Sequence, residues 1–198
     1  MPSMFIEQTL PFEEGASVSA TTFIYMDFLA RKNKDIYEHS KQVANYAKSI
    51  ATQLRLTAAE IAIVESAALL HDLGKLAIPN EIIRRYPTLY AREMSVYKRH
   101  CDLGANMLEN EPGFQSIARY IRYHHEKWDG KGYPRRLKGV NIPLESRIIS
   151  VANYYESINP CTRNWPKSAK KACLEISGKA GADFDPDVVR AFINTLGN

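Results

Sequence analysis

The sequence predicts an all-α domain, and three observations support this fold class. Apolar residues recur three, four or seven positions apart from Thr22 onward, no stretch alternates apolar and polar residues like a half-buried strand, and helix-start signals occur at several positions. The chain has 198 residues, 45% of them hydrophobic, which is enough for one substantial core. We therefore predict one helical bundle over residues 22–198. Residues 1–21 lack helical periodicity, and we predict that they form a flexible lead-in.

The first half of the chain carries the clearest helical pattern. A capping box, Thr57-Ala58-Ala59-Glu60, predicts a helix start. In such a box the Thr side chain accepts the backbone N–H of the Glu, and the Glu side chain accepts the backbone N–H of the Thr. This helix is predicted to end near Gly74, so that His71 and Asp72 lie in its C-terminal turn. The apolar positions that predict the helices of this half are Phe23, Met26, Ala30, Ile36, Val43, Ala47, Ile50, Ile61, Val64 and Ala68.

The second half predicts four more helices and one loop. Met94, Tyr97, His100, Gly104 and Leu108 share one helical face, and another helix is predicted from about Phe114 to His125. The stretch from Asp129 to Pro134 is rich in glycine and is predicted to be a loop. Pro143 and Pro186 each suit the start of a helix, the first continuing through Leu144, Ile148, Val151 and Tyr155 and the second forming a short last helix.

All five histidines are candidate metal ligands: His39, His71, His100, His124 and His125. Imidazole together with carboxylate suits transition metals such as Fe, Mn, Zn or Ni. A single histidine on a helix is more often a hydrogen-bonded polar residue than a ligand. The pair His71-Asp72, however, closes the apolar run from Ala67 to Leu70, where an ionisable pair is costly to bury without a partner or a metal. A metal centre is therefore the first hypothesis.

The longer motifs identify a family. His71-Asp72-Leu73-Gly74-Lys75, together with His100 and with His124-His125 followed six residues later by Gly132-Tyr133-Pro134, resembles the signature of the HD-GYP family. The resemblance extends from about Ile24 to the C-terminus. That family is a branch of the HD superfamily of metal-dependent phosphohydrolases, is all-helical, and typically hydrolyses the bacterial second messenger cyclic di-GMP. The resemblance therefore implies an HD-type bundle with a Gly-rich GYP loop.

The resemblance also implies roles for individual residues. Asp72 is implied to bridge two divalent transition-metal ions, Fe or Mn, and to take part in catalysis together with Lys75, which approaches the scissile phosphate. An amine there would stabilise anionic charge. Tyr133 either packs in the GYP loop or contacts the ligand, and the loop can also contact a signalling partner. The implied ligands are His39, His71 and Asp72 for the first ion and His100, His124 and His125 for the second, while Asp35 is either a ligand of a third ion or a plain surface aspartate.

Two segments depart from the family pattern. Asn153 stands where the family has a metal-binding aspartate, and an amide oxygen brings no negative charge to a metal ion. Metal affinity at the first site should therefore be weakened, although Glu156 leaves open a partial substitution. After the same helix, Arg163, Trp165 and Lys167 replace the usual substrate-binding segment. Trp165 would stack on a base and Arg163 or Lys167 would meet a phosphate, or the segment is an exposed basic loop.

Composition argues against a nucleic-acid-binding, disulfide-rich or membrane-spanning protein but does not identify the function. The net charge of +4 and the pI near 8.9 are mildly basic and fall short of the pattern typical of proteins that bind nucleic-acid polymers. The three cysteines, Cys101, Cys161 and Cys173, form no CxxC pair, which favours a reducing, cytoplasmic setting. No stretch is long enough to span a bilayer.

Two functions remain in view. In the first, the protein is a metal-dependent phosphodiesterase that hydrolyses cyclic di-GMP to pGpG and GMP, with a related nucleotide phosphohydrolase as a variant of the same class. In the second, it is a catalytically degenerate HD-GYP module that acts as a nucleotide sensor or a protein-interaction domain, because Asn153 breaks the ligand set. We favour the enzyme, since the histidines, Asp72, Lys75 and Gly132-Tyr133-Pro134 are all retained.

Overall fold

The computed structural model describes residues 20–159 and 169–196, and all the regular structure in these ranges is helical, which confirms the all-α prediction. Two short 3-10 helices, Leu73–Ala77 and Gly139–Asn141, lie between the longer elements. The α-helices are α1 Ala20–Lys32, α2 Lys34–Gln53, α3 Ala58–Leu70, α4 Asn80–Arg85, α5 Ala91–Lys98, α6 His100–Leu108, α7 Gln115–Arg122, α8 Leu144–Ile158, α9 Ala169–Ser177 and α10 Pro186–Leu196.

Helix α2 is the centre of the bundle and packs against α3, α8 and α10. Its inward face is fully buried at Val43, Ala47 and Ile50, and the small alanine allows close approach of neighbouring backbones. Burial of one Ile side chain contributes about 1.5–3 kcal/mol to stability. Only residues 54–57 connect α2 to α3, so the two packed helices are antiparallel. The start of α2 therefore lies beside the end of α3.

Helix α1 buries Met26 as the sequence predicts, but the rest of its buried face differs from the prediction. Thr22, Met26 and Leu29 point into the core, whereas Phe23 is 69% exposed, so its assignment to the apolar face is wrong. The helix ends before Asn33, whose side chain accepts the backbone N–H of Ile36 and begins α2. Asparagine is among the best residues for this capping position.

The capping box at Thr57 is confirmed, but three predicted helices end earlier than expected. Helix α3 stops at Leu70, with His71 as its C-terminal cap; the predicted helix from Met94 to Leu108 is divided at Arg99; and α7 stops at Arg122. In each case the Nδ1–H of a histidine donates to the carbonyl three residues earlier: His71 to Ala68, His100 to Tyr97 and His124 to Ile121. A continuing helix would have used these carbonyls itself.

Two elements of the fold were not predicted from the sequence. Helix α4 is only six residues long and buries none of them, and α9 follows the segment that lies outside the described ranges. Among the residues that the structure describes, no helix is both long enough and apolar enough to cross a membrane.

Candidate metal centre

The five histidines converge although they come from four separate parts of the chain. Each neighbouring pair of imidazole rings has its centroids between 4.1 and 5.4 Å apart, from His39 beside His71 to His124 beside His125. Their ligand atoms form two groups, and within each group all atoms lie within 4.8 Å of one another. The first group contains His39, His71 and Asp72, and the second contains His100, Cys101, His124 and His125.

Asp72 lies between the two groups and turns one carboxylate oxygen to each. Its Oδ2 is 3.3 Å from Nε2 of His71 and 3.6 Å from Nε2 of His39, and its Oδ1 is 3.6 Å from Nε2 of His100. Burial alone would raise the pKa of this carboxyl group, but the neighbouring His71, Lys75 and His100 outweigh it and hold the pKa well below its ordinary value. Asp72 is therefore an ionised carboxylate in a position to bridge two cations.

Hydrogen bonds at Nδ1 fix the orientation of three imidazole rings. Nδ1 of His71, His100 and His124 lies 2.7, 2.8 and 2.6 Å from the backbone carbonyls of the residues three positions earlier. Nδ1–H donates to each carbonyl, so Nε2 carries the free electron pair that a metal ion needs. Nε2 of both His71 and His124 is buried and has no hydrogen-bond partner among the described residues. Buried polar atoms rarely remain without a partner, and a cation between the rings would supply one.

Burial also keeps the second group of imidazoles uncharged. It lowers the pKa of His100 to about 4 and holds the pKa values of His124 and His125 well below the ordinary value. Neutral imidazole is the form that binds metal ions. At neutral pH these three rings are therefore ready to act as ligands.

Glu156 lies behind His39. Its carboxylate, on α8 and 4% exposed, contacts Nδ1 of His39, on the opposite side of the ring from the Nε2 that faces Asp72. A carboxylate in this position orients a ligand histidine and increases its basicity. Glu156 thus contacts His39 and belongs to neither ligand group, while Asn153 is half-buried one turn earlier on α8; a partial substitution of Glu156 for the missing aspartate stays a prediction.

Lys75 provides a positive charge at the edge of the centre. Its Nζ lies 2.5 Å from Oδ2 of Asp72. Burial would lower the pKa of this ammonium group, but the Asp72 carboxylate outweighs burial and raises the pKa, so the group stays charged. A recess of about 340 Å³ opens beside it, lined by Phe28, Lys32, Asn33, Ile36, Lys75, Leu76 and Asn80.

The GYP loop supports the second group through His125 and Glu126. The Tyr133 ring is stacked on the His125 ring, with centroids 4.9 Å apart and an angle of 23° between the planes. The buried Glu126 carboxylate accepts the backbone N–H groups of Arg135 at 2.6 Å and Leu137 at 3.0 Å. Tyr133 therefore packs on a candidate ligand, its contact with substrate stays a prediction, and Glu126 folds the loop back onto the histidines.

Some site residues differ from the sequence-based set. Asp35 is exposed in the first turn of α2 and belongs to neither ligand group, so the structure gives no support to a third ion there. Arg163, Trp165 and Lys167 lie outside the described residues. Cys101 and Glu126 were missed. The signals available for them were a thiol directly after His100 and a carboxylate directly after the histidine pair.

Comparison with known proteins agrees with this geometry. The model of the HD domain family matches residues 24–188. A cyclic di-GMP phosphodiesterase of Thermotoga maritima is 32% identical over 82% of this chain and 45% of its own length. The cyclic di-GMP phosphodiesterase response regulator RpfG of Xanthomonas campestris is 37% identical over 77% of this chain and 41% of its own length. A 3'3'-cGAMP-specific phosphodiesterase of Vibrio cholerae is 30% identical over 82% of this chain and 32% of its own length.

Solved structures share the fold. A cyclic GMP-AMP specific phosphodiesterase of Vibrio cholerae, V-cGAP3, superposes with a TM-score of 0.69 at 21% identity, over 90% of this chain and 48% of that one. Bd1817, an HD-GYP protein of Bdellovibrio bacteriovorus, gives a TM-score of 0.69 at 19% identity, over 89% and 61%. The chain spans less than half the length of the curated relatives described above. From the HD domain match, these relatives and the paired ligand groups, we conclude that this chain belongs to the HD-GYP family of HD domains.

Proposed function

We propose that this chain hydrolyses a cyclic dinucleotide, with cyclic di-GMP as the first substrate to test, at a centre that binds two divalent transition-metal ions. The observation that carries the proposal is the position of Asp72, whose two carboxylate oxygens face separate sets of imidazoles. Fe and Mn are the ions that we propose, since imidazole and carboxylate ligands suit both. Relatives named for cyclic di-GMP and for 3'3'-cGAMP support the class of substrate.

Two groups of residues would hold the ions. His39, His71 and Asp72 would hold the first, and His100, His124 and His125, with Asp72 as the bridge, would hold the second. A bound pair of metal ions polarises a phosphodiester and lowers the pKa of water. The residues themselves contribute rigidity, because the Nδ1 hydrogen bonds fix the ring orientations before any ligand binds.

Lys75 is the residue that we propose to assist bond cleavage. Its ammonium group is charged, lies against Asp72 and faces the recess, so it can stabilise the negative charge that develops on the leaving oxygen. The pKa of this group is raised by Asp72, which argues against proton donation and favours an electrostatic role.

The recess beside Lys75 is where we propose that one nucleobase binds. Phe28 is 46% exposed at its wall, and Nζ of Lys32 lies 5.7 Å from the centre of the Phe28 ring. Aromatic faces stack on any base, and lysines attract phosphate. A volume of about 340 Å³ is small for a whole dinucleotide but sufficient for part of one.

One observation favours a second candidate function. The family aspartate is replaced by Asn153, so the first site has one negative charge fewer. A module with this change would bind a metal or a nucleotide and turn over little. The two functions differ in whether pGpG is formed.

A single experiment separates these functions. The full chain, loaded with Mn or Fe(II) under reducing conditions, would be incubated with cyclic di-GMP and with 3'3'-cGAMP, and the products resolved by chromatography. Linear products in the native protein, with none in Asp72→Asn, are the expected result. Binding of the dinucleotide with no product supports the second function. Neither binding nor product, with metal bound, would overturn both.

Two further aspects belong to this proposal. We place the protein in the cytoplasm, a reducing compartment, because Cys101 and Cys173 form no disulfide with each other or with any other residue that the structure describes. We also place a signalling partner at the outer edge of the GYP loop, where Lys131, Arg136 and Lys138 are exposed beside Val140, which is 78% exposed. Reversing the charges of these three residues should abolish binding of an acidic partner and leave turnover unchanged.

A further inference from the structure

Cys101 lies in the second ligand group, although it was not among the candidate ligands predicted from the sequence. It follows His100 on α6 and is fully buried. Its Sγ lies 3.5 Å from Nε2 of His100 and within 4.8 Å of a ring nitrogen of His124 and of His125. The thiol forms no disulfide with any residue that the structure describes.

The distance between the thiol and the imidazole fits two ligands of one metal ion. With metal–sulfur and metal–nitrogen bonds of about 2.3 and 2.05 Å at tetrahedral angles, sulfur and nitrogen would lie about 3.6 Å apart. The observed separation of Sγ and Nε2 is 3.5 Å. In addition, Nε2 of His124 is buried in the same group without a hydrogen-bond partner among the described residues, which independently points to a cation as its partner.

We propose that Cys101 is a ligand of the second metal ion and binds it as a thiolate, releasing its proton to solvent. This inference rests on the proposed metal centre. The second site then has three imidazoles, one sulfur and one oxygen of the bridging Asp72, whereas the first has two imidazoles and the other Asp72 oxygen. Sulfur favours Fe(II), Co(II) or Zn over Mn, so the two sites differ in metal preference.

The alternative is that Cys101 only packs in the core and donates a weak hydrogen bond from its thiol to Nε2 of His100. A buried free cysteine often behaves as a small apolar side chain. The two roles predict different spectra, because a thiolate bound to Co(II) gives a strong charge-transfer absorption in the near ultraviolet and imidazole ligands do not.

The test is an anaerobic titration of the metal-free full chain with Co(II), followed by absorption spectroscopy. The native protein should show the thiolate-to-cobalt band. The double variant Cys161→Ser with Cys173→Ser, which keeps Cys101 as the sole cysteine, should keep the band. Cys101→Ser should lose it while still binding cobalt through the histidines, with an affinity lower by about 10- to 100-fold. Circular dichroism would verify that each variant is folded.

The outcomes separate the two levels of the proposal. Cobalt bound by the native protein without the band would overturn the role of Cys101 and leave the metal centre intact. A thiolate-to-cobalt band that persists in folded Cys101→Ser would also overturn the role of Cys101 and leave the metal centre intact. No cobalt bound by any variant would overturn the metal centre itself. Should Cys101→Ser fail to fold, the native protein and the double variant still decide the question.

Discussion

Replacing Gly74 by alanine tests how the two ligand groups are held together. Gly74 lies in the 3-10 helix directly after Asp72, and this segment packs against α6, which carries His100. A Cβ atom at Gly74 would lie 2.0 Å from the carbonyl oxygen of His100 and 2.4 Å from the backbone nitrogen of Gly104. Both neighbours are backbone atoms, so no side-chain rotation can relieve the contact.

The structure gives the size of the expected effect. The 2.0 Å separation is about 1.4 Å less than the 3.4 Å at which ordinary van der Waals contact begins, so α6 must move by more than 1 Å from Asp72. Overpacking of this kind costs about 1–3 kcal/mol, and displacement of a reacting group by 1 Å costs about 100-fold in rate. We expect Gly74→Ala to lose about 3 kcal/mol of unfolding free energy and about 100-fold in turnover.

Urea unfolding and a dinucleotide turnover assay would measure both quantities. Gly178→Ala is the matched control, because a Cβ there would meet its nearest atoms at 3.5 and 3.6 Å, which is ordinary contact. Its unfolding free energy should change by less than about 0.5 kcal/mol. If Gly74→Ala were as stable and as active as this control, the close packing of the 3-10 helix on α6 would not be what positions the ligands.

Three other substitutions address separate parts of the account. Glu126→Ala should cost about 2–4 kcal/mol in thermal or urea unfolding, because it removes the buried carboxylate that accepts the N–H groups of Arg135 and Leu137, and Glu126→Gln should recover part of the loss. Phe28→Ala should raise KM for the dinucleotide about 10-fold at unchanged kcat, since one base would lose a stacking partner; a change in kcat alone would contradict the base position. Asn153→Asp should increase both metal content and rate, and no gain in either by a folded variant would place the weakness elsewhere.

Much of the fold was predictable because it depends on local patterns. The capping box at Thr57 and the proline before α8 set helix starts by contacts within a few residues, and both predictions hold. The failures have a tertiary cause. Phe23 fits the apolar period of α1, but the rotation of that helix is set by its packing against α2 and α3, which buries Leu29 together with the predicted Met26 and leaves Phe23 exposed.

At the candidate site, the identities of the ligands could be predicted from the sequence, whereas the contacts that orient them could not. The identities of His39, His71, Asp72, His100 and the histidine pair predict a shared centre, and the structure brings them together. The early ends of α5 and α7 were not predictable, because they depend on histidine side chains that bond backbone carbonyls. Nor does the sequence show that Glu156 reaches His39, 117 positions away.

Elemental analysis of the protein purified anaerobically tests the central claim most directly. The native chain should contain between one and two transition-metal ions, because Asp72 lies between two sets of imidazoles and Asn153 weakens the first site. Asp72→Ala, folded by circular dichroism, should lose most of this metal. A native protein that stays metal-free after incubation with Mn or Fe(II), or an Asp72→Ala variant with an unchanged metal content, would contradict the account.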